Sequence, residues 1–320
     1  MNRLYISLLT ACLSASPVLA DCGKVSISEP NWASGALVTS ISKFLMEQGY
    51  GCSVTTMPGG STPTLASIAE TGQPDLVAEL YATSAPAFYE MEAEGKIVSL
   101  GFVLATGATE GWWVPEYLVD EYPDLAKIEG ILANPSLVGG MFHNSPTGWG
   151  SRVKSDNLHI AFGFKEAGIK VFDHGSGETL AGSIGSAYEN KEPWFGYYWG
   201  PTAVMGRYPM VHVDLGPFDQ EIYDCVNTKD CENPQKTSFG NNSPAIIGAV
   251  PDFSNREPEV ANLMSNVGFT NPEMQGLLAW QDDNNASTDE TMAYFIENHS
   301  DKWSTWINQA AKDKLSALIK

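Results

Sequence analysis

The sequence predicts an α/β protein of two lobes that are joined by two crossovers. Short apolar runs alternate with amphipathic segments along the chain, which is the signature of parallel sheets with right-handed connections. A chain of 320 residues normally divides into two domains, each with its own core. One alternating series is interrupted by a second, so the chain passes between the lobes twice. Such a double connection permits hinge closure around a ligand.

The first lobe begins with three strands and two helices. These are strand 25–28, a helix through 36–45 that Ser34 caps, strand 52–57, helix 62–71 and strand 75–80. Ligands of parallel sheets collect at the carboxyl ends of the strands. Trp32, the segment 58–62 and Glu79-Leu80-Tyr81 follow or end these strands. We therefore expect them to face one crevice.

The second lobe is predicted to begin after strand 97–106, where the flexible stretch 107–111 suits a crossover. Its elements are helix 115–122, strand 137–142, helix 155–167, strand 171–173, helix 178–190 and strand 195–199. A strand at 210–215 then returns to the first lobe, which ends with strand 246–250 and helices 258–266, 271–282 and 289–318. The predicted boundaries give residues 21–108 and 214–320 to the first lobe and 109–213 to the second.

The first 20 residues have the pattern of a secretory signal. Arg3 precedes an apolar run over 4–13, and Val18-Leu19-Ala20 forms a small-x-small cleavage site. No later stretch approaches the roughly 20 apolar residues that cross a bilayer. We expect an exported, periplasmic protein whose signal peptide has been removed.

The charge balance excludes two classes of partner. The chain has 18 basic and 38 acidic side chains, a formal charge of −20. This balance repels phosphate backbones and anionic lipid head groups, so nucleic acids and membrane surfaces are unsuited as partners. It is compatible with attraction of small cations, and solubility in salty surroundings explains it equally well.

Four cysteines remain after the signal, and four allow three pairings. We expect the pairs Cys22–Cys52 and Cys225–Cys231 in an oxidising compartment, although the sequence alone does not choose between pairings. No metal site is predicted, because the cysteine spacing is wrong and no histidine pair accompanies it. The acidic stretch 282–290 lacks the glycine and spacing of a calcium loop, which favours a solvated turn.

No enzyme is predicted. The five histidines are scattered and suit solvated or core positions, and the chain has no phosphate-binding or dinucleotide-binding fingerprint, so no cofactor is expected. Ser176 lies between glycines but has no His or Asp partner nearby, and a helix start explains it more simply.

The tryptophans give the strongest functional signal. Five of nine lie beside glycine or proline in segments that resemble loops, namely Trp32, Trp112, Trp113, Trp149 and Trp199. Several indole faces around one point attract a desolvated cation that accepts no hydrogen bond, such as a methylated ammonium group. The alternative is that they are core or interface aromatics, each with one N–H to satisfy.

Six strings resemble one known family, and they occur in its order. They are E-P-N-W-A-S-G-A-L, G-G-S-T-P-T-L, D-L-V-A-E-L-Y, W-V-P-E-Y-L-V-D-E-Y-P-D-L, P-T-G-W-G-S and Y-Y-W-G-P-T. The chain thus resembles the substrate-binding proteins of glycine betaine, choline and carnitine ABC importers from about residue 25 to residue 208. The resemblance implies a bilobed periplasmic-binding-protein fold of type II, a monomer, and a membrane permease as partner.

The resemblance also implies a ligand site. Trp32, Trp149 and Trp199 would be walls around a trimethylammonium head, and Trp112 or Trp113 would be a possible fourth. Backbone N–H groups at Gly150 and Ser151 would donate hydrogen bonds to a betaine carboxylate. A helix that begins there would direct its positive end at this anion.

Glu79 leaves the choice of ligand open. If its carboxylate points into the cage, choline or trimethylamine N-oxide fits better than betaine; if it points outward or pairs with a lysine, betaine fits best. Two other functions also remain open: an exported hydrolase, and a carbohydrate-binding module that stacks its tryptophans on sugars.

Overall fold

The computed structural model describes residues 22–240 and 242–318. The predicted signal peptide at 1–20 lies outside these residues. Within them, none of the helices combines the length and apolar character needed to cross a membrane.

Nine strands in the described part of the chain build two sheets that share one long strand. They are β1 (Lys24–Glu29), β2 (Ser53–Pro58), β3 (Leu76–Tyr81), β4 (Val98–Pro115), β5 (Met141–Asn144), β6 (Lys170–Asp173), β7 (Gly196–Gly200), β8 (Met210–His212) and β9 (Ser243–Ala249). The first sheet has the order β2-β1-β3-β9-β4, and the second has β8-β4-β7-β5-β6. In the first sheet, β1 pairs in parallel with β2 and β3, and in the second, β5 pairs in parallel with β6 and β7. Strands β7, β8 and β9 all run antiparallel to β4.

Helices flank both sheets. In the described residues they are α1 (Ala33–Phe44), α2 (Ser61–Thr71), α3 (Ala87–Ala93), α4 (Glu116–Glu121), α5 (Ile128–Ala133), α6 (Gly150–Ala161), α7 (Phe164–Ala167), α8 (Gly177–Asn190), α9 (Ala203–Arg207), α10 (Gln220–Val226), α11 (Phe253–Arg256), α12 (Pro258–Asn266), α13 (Asn271–Asp283), α14 (Thr288–Asn298), α15 (Ser300–Trp303) and α16 (Gln309–Leu318). The helix predicted over 289–318 is therefore broken into three. Ser34, predicted to cap the first helix, lies inside α1, and Trp32 is the residue at its N-cap.

The first crossing between the lobes is made by continuous strand. The stretch 107–111, predicted to be flexible, is part of β4, which pairs with β9 up to Ala108 and with β7 from Thr109 onward. Gly107 marks the passage: its φ is +71°, and a Cβ there would lie 2.5 Å from the Ser243 carbonyl oxygen. Only glycine permits both this conformation and this approach of two backbones.

Two hydrophobic cores correspond to the two lobes. Ile27, Leu37, Leu80, Leu263 and Phe295 are buried in the first core. The second core is rich in aromatic side chains and includes Trp112, Phe142, Phe164, Phe195 and Phe239.

The return to the first lobe occurs later than expected. The strand at 210–215 was predicted to lead back, but β8 pairs with β4 in the second sheet. Val226, Cys231 and Phe239 pack in the second core, whereas Ala245 in β9 belongs to the first. The chain therefore returns between residues 239 and 243. Residues 214–239, which were predicted to belong to the first lobe, therefore belong with the second. The predicted lobe boundary between residues 108 and 109 stays a prediction.

Both predicted disulfides are present. Cys22–Cys52 joins the chain just before β1 to the chain just before β2. Cys225–Cys231 links α10 to the loop after it.

Candidate ligand-binding site

A small cavity lies between the two lobes. Its lining comes from the N-cap of α1, from the end of β3 and the turn after it, from β4 and β7, and from the starts of α2 and α6. The lining residues are Trp32, Ser61, Tyr81, Ser84, Glu110, Trp149, Gly150, Ser151, Tyr197 and Trp199. The cavity volume is about 30 Å³, which is room for one small chemical group.

Three indoles form adjoining walls of this cavity. The ring centroids of Trp32 and Trp149 are 5.4 Å apart with an interplanar angle of 77°. Those of Trp149 and Trp199 are 5.0 Å apart at 81°. The structure thus brings together, around one cavity, three of the five tryptophans that the sequence singled out.

Each wall stands at the end of a regular element. Trp32 is the N-cap residue of α1, and Trp149 is the N-cap residue of α6. Trp199 lies in β7. The two lobes thus contribute walls to one cavity, with Trp32 from the first and Trp149 and Trp199 from the second.

Trp112 and Trp113 do not line the cavity, so neither is a fourth wall. Trp112 is fully buried in the second core, where its ring packs on Phe142 at 5.0 Å. Trp113 points to the opposite face of β4, because side chains alternate along a strand. There it packs edge-on to His212 at 4.7 Å, and its Nε1 donates to the Tyr198 carbonyl.

Two tyrosines also line the cavity: Tyr81, which lies in a segment predicted to face the crevice, and Tyr197, which sequence reasoning missed. Tyr81 ends β3, and Tyr197 lies on β7 two residues before Trp199, hence on the same face. Burial raises the pKa of both hydroxyls well above the ordinary value, and the nearby carboxylates Glu79 and Glu110 add to this for Tyr81 and Tyr197 respectively. Both side chains are therefore neutral at physiological pH. The alternation in Y-Y-W was the available signal for Tyr197.

Glu79 lies behind the aromatic wall, which differs from both orientations considered from the sequence. Its side chain is 1% exposed, and its Oε1 accepts hydrogen bonds of 2.7 Å from Trp32 Nε1 and from Ser34 Oγ. Burial raises the pKa of the Glu79 carboxyl, and the hydrogen bonds from Ser34 and Trp32 offset part of this effect. Glu79 therefore fixes the orientation of the Trp32 ring and is absent from the cavity lining.

The carboxylate that does line the cavity is Glu110. It lies directly opposite Trp199 in the β4–β7 ladder, so both side chains lie on one face of the sheet. Its Oε2 accepts from Ser84 Oγ at 2.6 Å and from Lys154 Nζ at 2.9 Å. Sequence reasoning missed this residue because its glycine-flanked segment resembled a flexible loop.

The first turn of α6 also borders the cavity through Gly150 and Ser151. The leading N–H groups of a helix have no carbonyl partner within it, and the aligned peptide dipoles give that end a positive potential. The Trp149 indole is held in place by a hydrogen bond of 2.7 Å to Asn31 Oδ1 across the cleft. This end of the cavity is suited to an anionic or oxygen-bearing group.

The remaining polar candidates lie elsewhere and have structural roles. Ser176 caps α8 and forms a capping box with Thr179, as its interpretation as a helix start predicted. Asp282 and Asp283 form ion pairs with Arg207. Among residues 22–240 and 242–318, no group of three or more His, Cys, Asp or Glu side chains is arranged to hold a metal ion.

The family described as the substrate-binding domain of the ABC-type glycine betaine transport system, OpuAC, matches residues 23–298. This match spans both lobes and every residue of the cavity lining.

Solved structures give the same fold. The glycine betaine/L-proline-binding protein ProX from Borrelia burgdorferi matches with a TM-score of 0.74 at 15% identity, over 91% of this chain and 99% of that one. Lactococcal OpuAC, closed on glycine betaine, matches at 0.67 and 17% identity over 89% and 100%. A choline-binding protein in complex with choline matches at 0.74 and 15% over 93% and 99%. The predicted bilobed periplasmic-binding-protein fold is thereby confirmed.

Proposed function

The chain belongs to the family of substrate-binding domains of ABC-type glycine betaine transport systems, and we propose that it captures a small methylated amine between its lobes. The observation that carries this proposal is the near-perpendicular packing of Trp32, Trp149 and Trp199 around one cavity. The π face of an indole has negative potential, and methyl groups on a quaternary nitrogen spread its positive charge over an apolar surface.

The energies are sufficient for capture at micromolar concentration. An indole over a desolvated cation contributes on the order of 1–2 kcal/mol, so three walls supply several kcal/mol. Micromolar affinity needs about 8 kcal/mol. Apolar burial of the methyl groups and polar contacts from the cavity supply the remainder.

Within the class of methylated amines, we propose glycine betaine as the first candidate. Its carboxylate would accept hydrogen bonds from the backbone N–H groups of Gly150 and Ser151 at the start of α6. Glu110 does not prevent this, because Lys154 offsets its charge at 2.9 Å. Glu79 also lies behind Trp32, outside the cavity lining.

Choline and trimethylamine N-oxide are the second candidates, and Glu110 is the observation that favours them. A carboxylate on the lining accepts a hydrogen bond from the hydroxyl of choline, or from a protonated N-oxide. It also adds direct attraction for a ligand with a net positive charge.

We further propose the cellular setting that such a function requires. The protein acts outside the cytoplasm as a monomer and delivers its ligand to a membrane permease, without itself catalysing a reaction. An exported hydrolase is disfavoured because no histidine is among the described residues that line the cavity, and Glu110, the carboxylate beside the Ser84 hydroxyl, is already paired with Lys154. A carbohydrate module is disfavoured because the tryptophans of such a module would line an open face, whereas Trp32, Trp149 and Trp199 line a cavity between lobes.

Calorimetry with a panel of ligands tests the proposal. Glycine betaine, choline and trimethylamine N-oxide are compared with 3,3-dimethylbutan-1-ol, the neutral carbon isostere of choline, and with glucose. We expect at least one methylated amine to bind with micromolar affinity, and choline to exceed its isostere by about tenfold. Binding of glucose alone, or equal binding of choline and its isostere, would contradict the proposal.

A further inference from the structure

A turn of the first lobe is inserted into a polar socket on the second. The turn comprises Ala82–Ser84 and directly follows β3. The socket consists of Glu110, Lys154, Tyr223 and Asn227, which come from β4, α6, α10 and the residue after α10. None of these socket side chains was singled out by the sequence.

Lys154 is the centre of the socket. Its side chain is 0% exposed, and its Nζ donates three hydrogen bonds of 2.9 Å, to Glu110 Oε2, Ser84 Oγ and Tyr223 OH. The Nζ also lies 4.7 Å from the centroid of the Phe239 ring. Burial acts to lower the pKa of the Lys154 ammonium, but Glu110 and Tyr223 outweigh it and raise the pKa. Lys154 is therefore charged, and all three of its protons are used.

Two of the three hydrogen-bond partners of Lys154 belong to its own lobe, and one belongs to the other lobe. Glu110 and Tyr223 belong to the second lobe with Lys154 itself, whereas Ser84 follows a strand of the first. Ser84 also donates to Glu110 Oε2 at 2.6 Å. Nearby, the Thr83 carbonyl accepts from Asn227 Nδ2 at 3.2 Å and from Tyr223 OH at 3.5 Å. Separation of the lobes would remove the Ser84 and Thr83 contacts and leave the Glu110–Lys154 pair in the second lobe.

Ser84 and Glu110 belong to the hydrogen-bond network around Lys154 and also line the cavity. A ligand in the cavity would thus contact the two groups through which the buried ammonium connects the lobes. We infer that Lys154 is a positioning residue that fixes Glu110 on the cavity wall and joins the lobes through Ser84 when a ligand is held. This inference rests on the proposed capture of a ligand between the lobes.

The inference predicts an effect on ligand release more than on ligand entry. A closed cleft must open before the ligand leaves, so weakening a contact made only on closure raises the dissociation rate constant. Stopped-flow tryptophan fluorescence with glycine betaine, choline and trimethylamine N-oxide as separate probes measures both rate constants. We expect Lys154→Met to raise the dissociation rate constant by about tenfold, with a much smaller change in association.

A matched control and a coupling test separate this role from general destabilisation. Lys165→Met removes an exposed lysine of the same lobe and should leave both rate constants unchanged. If Lys154 acts through Ser84, then Ser84→Ala should have a smaller effect in the Lys154→Met background than in the wild type, although its bond to Glu110 keeps the effect above zero. Additive effects of the two substitutions, or equal rates for the Lys154→Met and Lys165→Met variants, would overturn the inference.

Removal of a buried charge partner could impair folding, so a milder variant is included. Tyr223→Phe removes only the hydroxyl shared by Lys154 and the Thr83 carbonyl, and should raise the dissociation rate constant about threefold. Hydrogen exchange of the peptide that contains Ala82–Ser84, measured on the ligand-bound protein, gives a second readout. We expect faster exchange there in Tyr223→Phe than in the wild type, and unchanged exchange would overturn the inference. Failure of the wild type to bind any probe would instead contradict the proposed function.

Discussion

Gly150 and Ser84 approach so closely across the cleft that no side chain fits between them. A Cβ on Gly150 would lie 1.6 Å from the Ser84 carbonyl oxygen, less than half of an ordinary van der Waals separation. Gly150 is the first residue of α6, so glycine is required here for close contact between the lobes and not for helix geometry.

Gly150→Ala should therefore hold the lobes apart. We expect ligand affinity to fall by at least about tenfold, because walls from the two lobes no longer meet, while the isolated lobes remain folded. Calorimetry measures the affinity, and thermal unfolding monitors the fold. Gly276→Ala is the control, since a Cβ at Gly276 in α13 has no atom within 4 Å. Unchanged affinity in Gly150→Ala would show that the lobes need not come this close.

Glu110→Gln tests which ligands depend on the cavity carboxylate. The amide keeps an oxygen that accepts from Lys154 but has no negative charge. We expect choline to lose about tenfold in affinity and glycine betaine to lose less, because betaine has its own carboxylate. Calorimetric titration of both ligands against wild type and variant gives the comparison. Equal losses for the two ligands would mean that Glu110 does not distinguish them.

Glu79 should make the stability of the protein depend on pH. Its pKa is raised in the folded state from an ordinary value of 4.5, so the folded protein binds its proton more tightly than the unfolded chain does. The Glu79 contribution to the free energy of unfolding is thus full below pH 4.5 and is lost as pH rises through the raised pKa. Glu79→Gln removes this loss and keeps an acceptor for Trp32 Nε1.

Urea unfolding of wild type and Glu79→Gln between pH 4 and pH 8 measures the effect. We expect the variant to gain stability relative to wild type as pH rises above 4.5, until Glu79 is fully ionised. The exposed Glu129→Gln variant serves as control and should show a constant difference. A constant difference for Glu79→Gln as well would contradict the assignment of a raised pKa to Glu79.

Much of the fold follows from local pattern. The first three strands and α2 lie within a residue or two of their predicted ends, because apolar alternation and flanking glycines are local signals. The membership of β8 in the second sheet was missed, since three residues have no readable period and the choice of sheet depends on distant partners. The same reason explains the misplaced return between residues 239 and 243.

The site was predictable where its residues had a distinctive chemistry. Trp32, Trp149 and Trp199 stood out because large aromatics beside glycine or proline are unusual in a core strand. Glu110 and Lys154 did not, because only the folded chain shows that a carboxylate and an ammonium 44 positions apart are buried together. Glu79 was recognised as important, but its position behind Trp32 depends on side-chain packing that no sequence pattern encodes.

Trp149 provides the most direct test of an indole cage shared by the two lobes, because its ring contacts both other walls. Calorimetry compares the binding of glycine betaine, choline and trimethylamine N-oxide to Trp149→Ala and to Trp280→Ala, which alters a tryptophan stacked on Tyr294 in α14, away from the cavity. We predict at least a tenfold loss of affinity in Trp149→Ala and none in Trp280→Ala. Wild-type affinity in Trp149→Ala would contradict the cage.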